Sequence, residues 1–128
     1  MSSRGLRFTI LDGSFAVCRL DPRSAIPAWA KGEFVSVTRT AQELSIVCEQ
    51  AHVPAGIRQE GDWRALKVAG PIAFSQCGVT VSFASPIAAA GVSLLPFATY
   101  DTDYFFVKAD TLDRAIAALE AAGHRHER

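Results

Sequence analysis

Residues 91–108 set two apolar runs on either side of a polar turn: Gly-Val-Ser-Leu-Leu-Pro-Phe-Ala-Thr-Tyr-Asp-Thr-Asp-Tyr-Phe-Phe-Val-Lys. Residues 92–98 are apolar apart from Ser93, and 104–107 are aromatic and β-branched, the composition of buried strands. Thr99, Asp101, Thr102 and Asp103 lie between them. Such side chains hydrogen-bond nearby backbone and so form turns. The same carboxylates and hydroxyls can grip an ammonium group, and both readings stand. Helical periods flank this hairpin. Val79, Phe83, Ile87 and Ala90 form one apolar stripe, with Pro86 inside it and Gly91 as its stop. Pro86 removes one backbone donor, which predicts a kink or local opening. Asp110, Thr111 and Asp113 predict a cap for a second helix whose face is Leu112, Ile116 and Leu119, ended by Gly123.

Residues 63–69 read as a strand in which Leu66 and Val68 bury one face, broken by Gly70-Pro71. The second half therefore reads β-α-β-β-α, with room for a last strand at 124–128. That order predicts an α+β, ferredoxin-like antiparallel sheet covered by two helices on one face. The first half is strand-rich. Residues 6–11 and 15–20 read as strands joined at Asp12-Gly13, a hairpin signal. Residues 33–40 alternate, with Phe34, Ser36, Thr38 and Thr40 on one face and Val35, Val37 and Arg39 on the other. Thr40 and Glu43 match a capping box, predicting one helical turn or a tight loop before a strand at 44–48. The polar stretch 51–62 reads as the linker, dividing the chain into halves 1–61 and 62–128. Trp29 and Trp63 read as packing residues.

Composition narrows the function classes. With 49% hydrophobic and 20% charged residues, the 128-residue chain is globular, large enough for one domain or two very small ones. Lys plus Arg and Asp plus Glu number 13 each, which gives no electrostatic footprint for nucleic acid or an anionic membrane. No apolar run approaches the ~18 residues of a membrane span. Residues 1–7 are not followed by an apolar core of signal-peptide length. Cys18, Cys48 and Cys77 cannot all pair and sit among apolar neighbours, which suits a reducing cytoplasm. No nucleophile elbow, phosphate loop or dinucleotide fingerprint occurs, so the expectation is a non-enzyme without catalytic residues, metal or cofactor. His124 and His126 belong to a short tail read as frayed.

Three groups of residues carry a family resemblance. Gly70-Pro71, Gly78-Val79 and the run from Ala90 to Ser93 look like the ACT-domain pattern. Residues 36–40 with 43–48, and residues 99–104, resemble the CASTOR-type ACT family over roughly Phe8 to Gly123. The resemblance implies two ACT-like halves, an amino acid or similar metabolite bound at an interface between ACT units, and a homodimer. An amino acid needs donors for its carboxylate, and the helix start at Gly78 and Val79 offers unpaired N–H groups. Its ammonium group needs acceptors, for which Asp101 and Asp103 are candidates, Asp103 the better placed at the strand start. Ser36, Thr38, Thr99 and Thr102 supply hydroxyls. Arg39 pairs with one of these aspartates, binds a carboxylate, or is a plain surface residue. Ala98 and Ala73 stand where the family commonly has Ser and an acid. Each removes a polar group at the pocket rim, which keeps open a module that only oligomerises.

Overall fold

The computed structural model describes residues 5–72 and 78–128, so Ala73 and Cys77 lie outside the described residues. In chain order the elements are β1 (Arg7–Ile10), β2 (Phe15–Leu20), β3 (Ser36–Arg39), β4 (Leu44–Glu49), β5 (Arg58–Val68), α1 (Val79–Ala89), β6 (Leu94–Ala98), β7 (Asp103–Lys108), α2 (Leu112–Ala121) and β8 (Arg125–His126). Contacts divide the chain into two compact units, Gly13–Trp63 and Met1–Asp12 with Arg64–Arg128. The 61/62 boundary expected from the sequence falls inside β5, and the N-terminal strand groups with the C-terminal part of the chain.

In the Gly13–Trp63 unit, β3, β4, β2 and the first half of β5 pair in that order, all antiparallel. Ala16, Cys18, Leu44, Ile46 and Cys48 form its apolar face, packed by Trp29, Val53 and Ile57. The capping-box residues make a tight loop: Gln42 and Glu43 donate their N–H groups to Thr40 Oγ1 at 3.1 and 3.2 Å. β5 begins at Arg58 instead of Trp63. Arg58, Gln59 and Glu60 are polar and exposed, so no apolar alternation announces them; pairing with β2 recruits them. A bulge follows opposite Ala16, where Asp62 has φ 65° and its N–H bonds Gln50 Oε1 at 2.7 Å.

In the other unit, β8, β1, the second half of β5, β7 and β6 pair in that order. The ferredoxin-like expectation holds, with one correction. The sheet is mixed, because β8 runs parallel to β1. One sheet face packs on the helices through Phe8, Leu66, Val68, Phe105 and Val107, against Phe83 and Ile87 of α1 and Ala115 and Leu119 of α2. Phe83 meets Phe8 edge-on at 5.4 Å and Phe105 at 4.8 Å. Each such ring is fully or almost fully buried, which contributes about 1.5–3 kcal/mol per side chain. Among the described residues, no helix is long and apolar enough to cross a membrane.

Three local expectations are corrected. Among the described residues β1 and β2 do not pair as the hairpin that Asp12-Gly13 signals; each pairs with β5 instead. Asp110 does not cap α2; it lies in a 3-10 turn, Ala109–Thr111, and Thr111 turns its hydroxyl back to Lys108 O at 2.8 Å. Pro86 lies inside α1, which runs on to Ala89. The tail is not frayed at its start. His124 is 3% exposed, with Nδ1 accepting from Leu6 N–H at 3.0 Å and Nε2 2.9 Å from Ser82 O. Pro86 explains the second bond. A residue with an N–H at 86 would donate to the carbonyl four positions back, at Ser82; proline cannot, and the imidazole supplies the donor. Arg125 N–H and Glu127 N–H then bond Leu6 O and Phe8 O, each at 2.8 Å.

Candidate functional site

The site is built from the start of α1 and the turn between β6 and β7, within one unit. Gly78 precedes α1 at φ 77°, a left-handed conformation that favours glycine, and among the described residues no side chain caps the helix. The first intrahelical bond is Ser82 N–H to Gly78 O at 2.8 Å, so the N–H groups of Val79, Thr80 and Val81 have no acceptor inside the helix.

Opposite stands the turn. Thr99 N–H and Oγ1 bond Thr102 O at 2.8 and 3.0 Å, closing the loop that the alternating Thr and Asp residues predict. Thr102 is buried, and its hydroxyl donates to Val68 O at 2.7 Å. Asp101 uses its backbone, accepting from Ile72 N–H at 2.7 Å. A Cβ at Gly70 would come within 2.9 Å of that same Asp101 oxygen. The turn is thus stitched to residues 68–72, which fixes where β7 begins. Asp103, its first residue, turns its carboxylate to α1 and accepts from Thr80 Oγ1 at 3.2 Å.

Between them lies a cavity of about 230 Å³, lined by Gly78, Val79, Thr80 and Val81 on one side and Ala98, Thr99, Tyr100, Thr102 and Asp103 on the other, with Ile72 between. This is just below the ~300–1,000 Å³ of common ligand clefts, a size for a small metabolite. Among the described residues Asp103 is the charged side chain in the lining, while the helix start presents about half a positive charge. Val81 is 66% and Tyr100 81% exposed, so the mouth carries an open apolar rim.

Of the residues selected from sequence, Gly78, Val79, Thr99, Thr102 and Asp103 line this cavity. Asp101 stands in the turn but outside the lining. Ser36, Thr38 and Arg39 belong to β3 of the other unit, and Arg39 Nη1 bonds Pro22 O there. Sequence reasoning missed Thr80, Val81, Tyr100 and Ile72. Thr80 and Val81 were within reach, since a helix opening at Gly78 places them among its first N–H groups.

An ACT-domain family model matches residues 58–121, half of the chain, and a second model, of an N-terminal domain, matches residues 13–56. The chain belongs to the ACT-domain family. The CASTOR-type resemblance is borne out by similarity to the human protein named cytosolic arginine sensor for mTORC1 subunit 1, 32% identical over 59 residues. That match covers 45% of this chain and 18% of the sensor. A crystal structure of an Agrobacterium tumefaciens protein is 37% identical, with a TM-score of 0.92 over 98% of this chain and 94% of that one. The ligand-free regulatory subunit of aspartate kinase from Thermus thermophilus shares the fold alone, at 10% identity and TM-score 0.61 over 94% and 96% of the two chains.

Proposed function

We propose that this ACT protein is a non-catalytic regulatory module that binds an α-amino acid in the cleft between α1 and the 99–102 turn. One observation carries the reading: the first N–H groups of α1, uncapped among the described residues, and the Asp103 carboxylate face the same cavity. A zwitterion matches that pair, its carboxylate on the helix start and its ammonium group on Asp103. The named arginine sensor among the similar proteins agrees with such a ligand. Burial of the Val81 and Tyr100 rim gives the module a way to couple ligand to self-association as a homodimer. The free, buried thiols of Cys18 and Cys48 suit a cytoplasmic setting.

The rival reading is a module that only associates. It is favoured by hydroxyls already spent inside the turn and by the Thr80 bond that occupies one Asp103 oxygen. Thermal unfolding against each proteinogenic amino acid decides. A ligand at 100 times its dissociation constant adds about 2.7 kcal/mol. The expected outcome is a shift with one amino acid or a few, lost in Asp103→Asn. No shift with any of them sinks the sensing function, whatever the oligomeric state in sedimentation.

A further inference from the structure

The hydroxyl-bearing face of β3 is not used by the cleft, and it continues into an arrangement with its own chemistry. The antiparallel registers place Thr38 opposite Ser45, Ser45 opposite Arg19, and Arg19 opposite Arg58. Directly opposed residues leave a sheet on the same side. This side is the reverse of the Cys18, Leu44 and Ile46 core. Arg19 and Arg58 are both exposed and share a groove of about 220 Å³. Like charges directly opposed are unfavourable, and neither arginine is in an ion pair among the described residues. Glu60 is the carboxylate on the groove's rim, one pair further along the strands, opposite Val17. Arg19 Nη2 donates to Gln42 O at 2.9 Å, which anchors one end of its guanidinium and leaves its other donors for a ligand.

We propose that this row is a binding site for a small phosphomonoester. The phosphate sits between the two guanidinium groups, whose forked donors suit its oxygens. The polar remainder of the molecule lies over Ser45 and Thr38. Neighbouring strands are about 4.8 Å apart, so Arg58, Arg19 and Ser45 span about 10 Å, the reach of a phosphate and a short hydroxylated chain. The anion replaces the repulsion between the arginines with charge-assisted hydrogen bonds.

The test is a melting-temperature titration at pH 8 with inorganic phosphate, glycerol phosphate and, at matched ionic strength, chloride. Both phosphates stabilise saturably beyond chloride. A tighter response to glycerol phosphate assigns the hydroxyl row to the ester, and an equal response assigns the site to the phosphate group alone. Arg58→Gln weakens the apparent affinity about tenfold. Arg58→Glu abolishes the response and, by pairing with Arg19, raises the anion-free melting temperature by about 2 °C. Asp103→Asn leaves the response unchanged, which separates this site from the cleft. A phosphate shift no larger than that of chloride, or one undiminished in both Arg58 variants, overturns the proposal.

Discussion

Pro86 and His124 meet at one carbonyl. Proline withholds the donor that Ser82 O would receive inside α1, and His124 Nε2 stands 2.9 Å away in its place. Leu6 N–H points at Nδ1, so that nitrogen is the acceptor and Nε2 carries the proton. One neutral imidazole thus ties β1, α1 and the C-terminal segment together. His124→Ala leaves a part-buried donor and a part-buried acceptor unpaired, and denaturant unfolding is expected to show a loss of about 1–3 kcal/mol. In a Pro86→Ala background residue 86 regains its N–H and takes the Ser82 carbonyl itself. The histidine deletion then costs less, by about 1 kcal/mol in a double-mutant cycle. Strict additivity of the two changes would contradict this account. Neither residue announces the other in sequence, because the link is 38 positions long and one bond wide: Pro86 to His124 is 124 minus 86.

At the scale of elements, the candidate cleft depends on the placement of a turn. The 99–102 loop makes its own internal bonds, which its Thr and Asp residues signal. What holds it against residues 68–72 is the Thr102 hydroxyl on Val68 O, the Ile72 N–H on Asp101 O, and the bare Cα of Gly70. Thr102→Val is expected to lower stability by about 1 kcal/mol, the net value of one hydrogen bond. Gly70→Ala forces its Cβ to 2.9 Å from the Asp101 carbonyl oxygen and should cost about 1–3 kcal/mol. Both changes should weaken amino-acid binding by more than an exposed Asp101→Ala, since they displace Asp103. Calorimetric affinities for the three variants measure this. Equal affinities would mean that the stitching does not position the site.

For the molecule as a whole, the buried thiols make stability depend on alkaline pH. Burial pushes the Cys18 thiol from 9.0 up to about 11, with Cys48 adding to the shift, and burial raises Cys48 as well. An acid whose folded pKa is raised keeps its proton in the fold while the unfolded chain loses it. Its contribution is therefore complete below about pH 9 and lost as the pH rises toward 11. The urea midpoint is expected to fall over that window, and Cys18→Ala should flatten the fall. Peptide mapping after alkylation at pH 8 should find Cys18 and Cys48 modified in the unfolded chain and protected in the native one.

The local elements were legible because their signals are local. The stripe Val79, Phe83 and Ile87, the aromatic run before Lys108 and the turn chemistry of Thr99 to Asp103 each follow from periods of a few residues. So did Gly78 as a helix start and Asp103 as a residue held at the beginning of a strand. Tertiary structure alone decided the rest. The sheet became mixed because residues 125–126 found β1 and bonded to it in parallel. The start of β5, polar and exposed, became a strand because β2 supplied its partners. Thr80 joined the cleft because β7 brought a carboxylate to its hydroxyl. Periodicity reports which face of an element is apolar. It does not report which distant backbone an element will bond, since hydrogen-bonding groups are the same at every residue and only the packed chain selects among them.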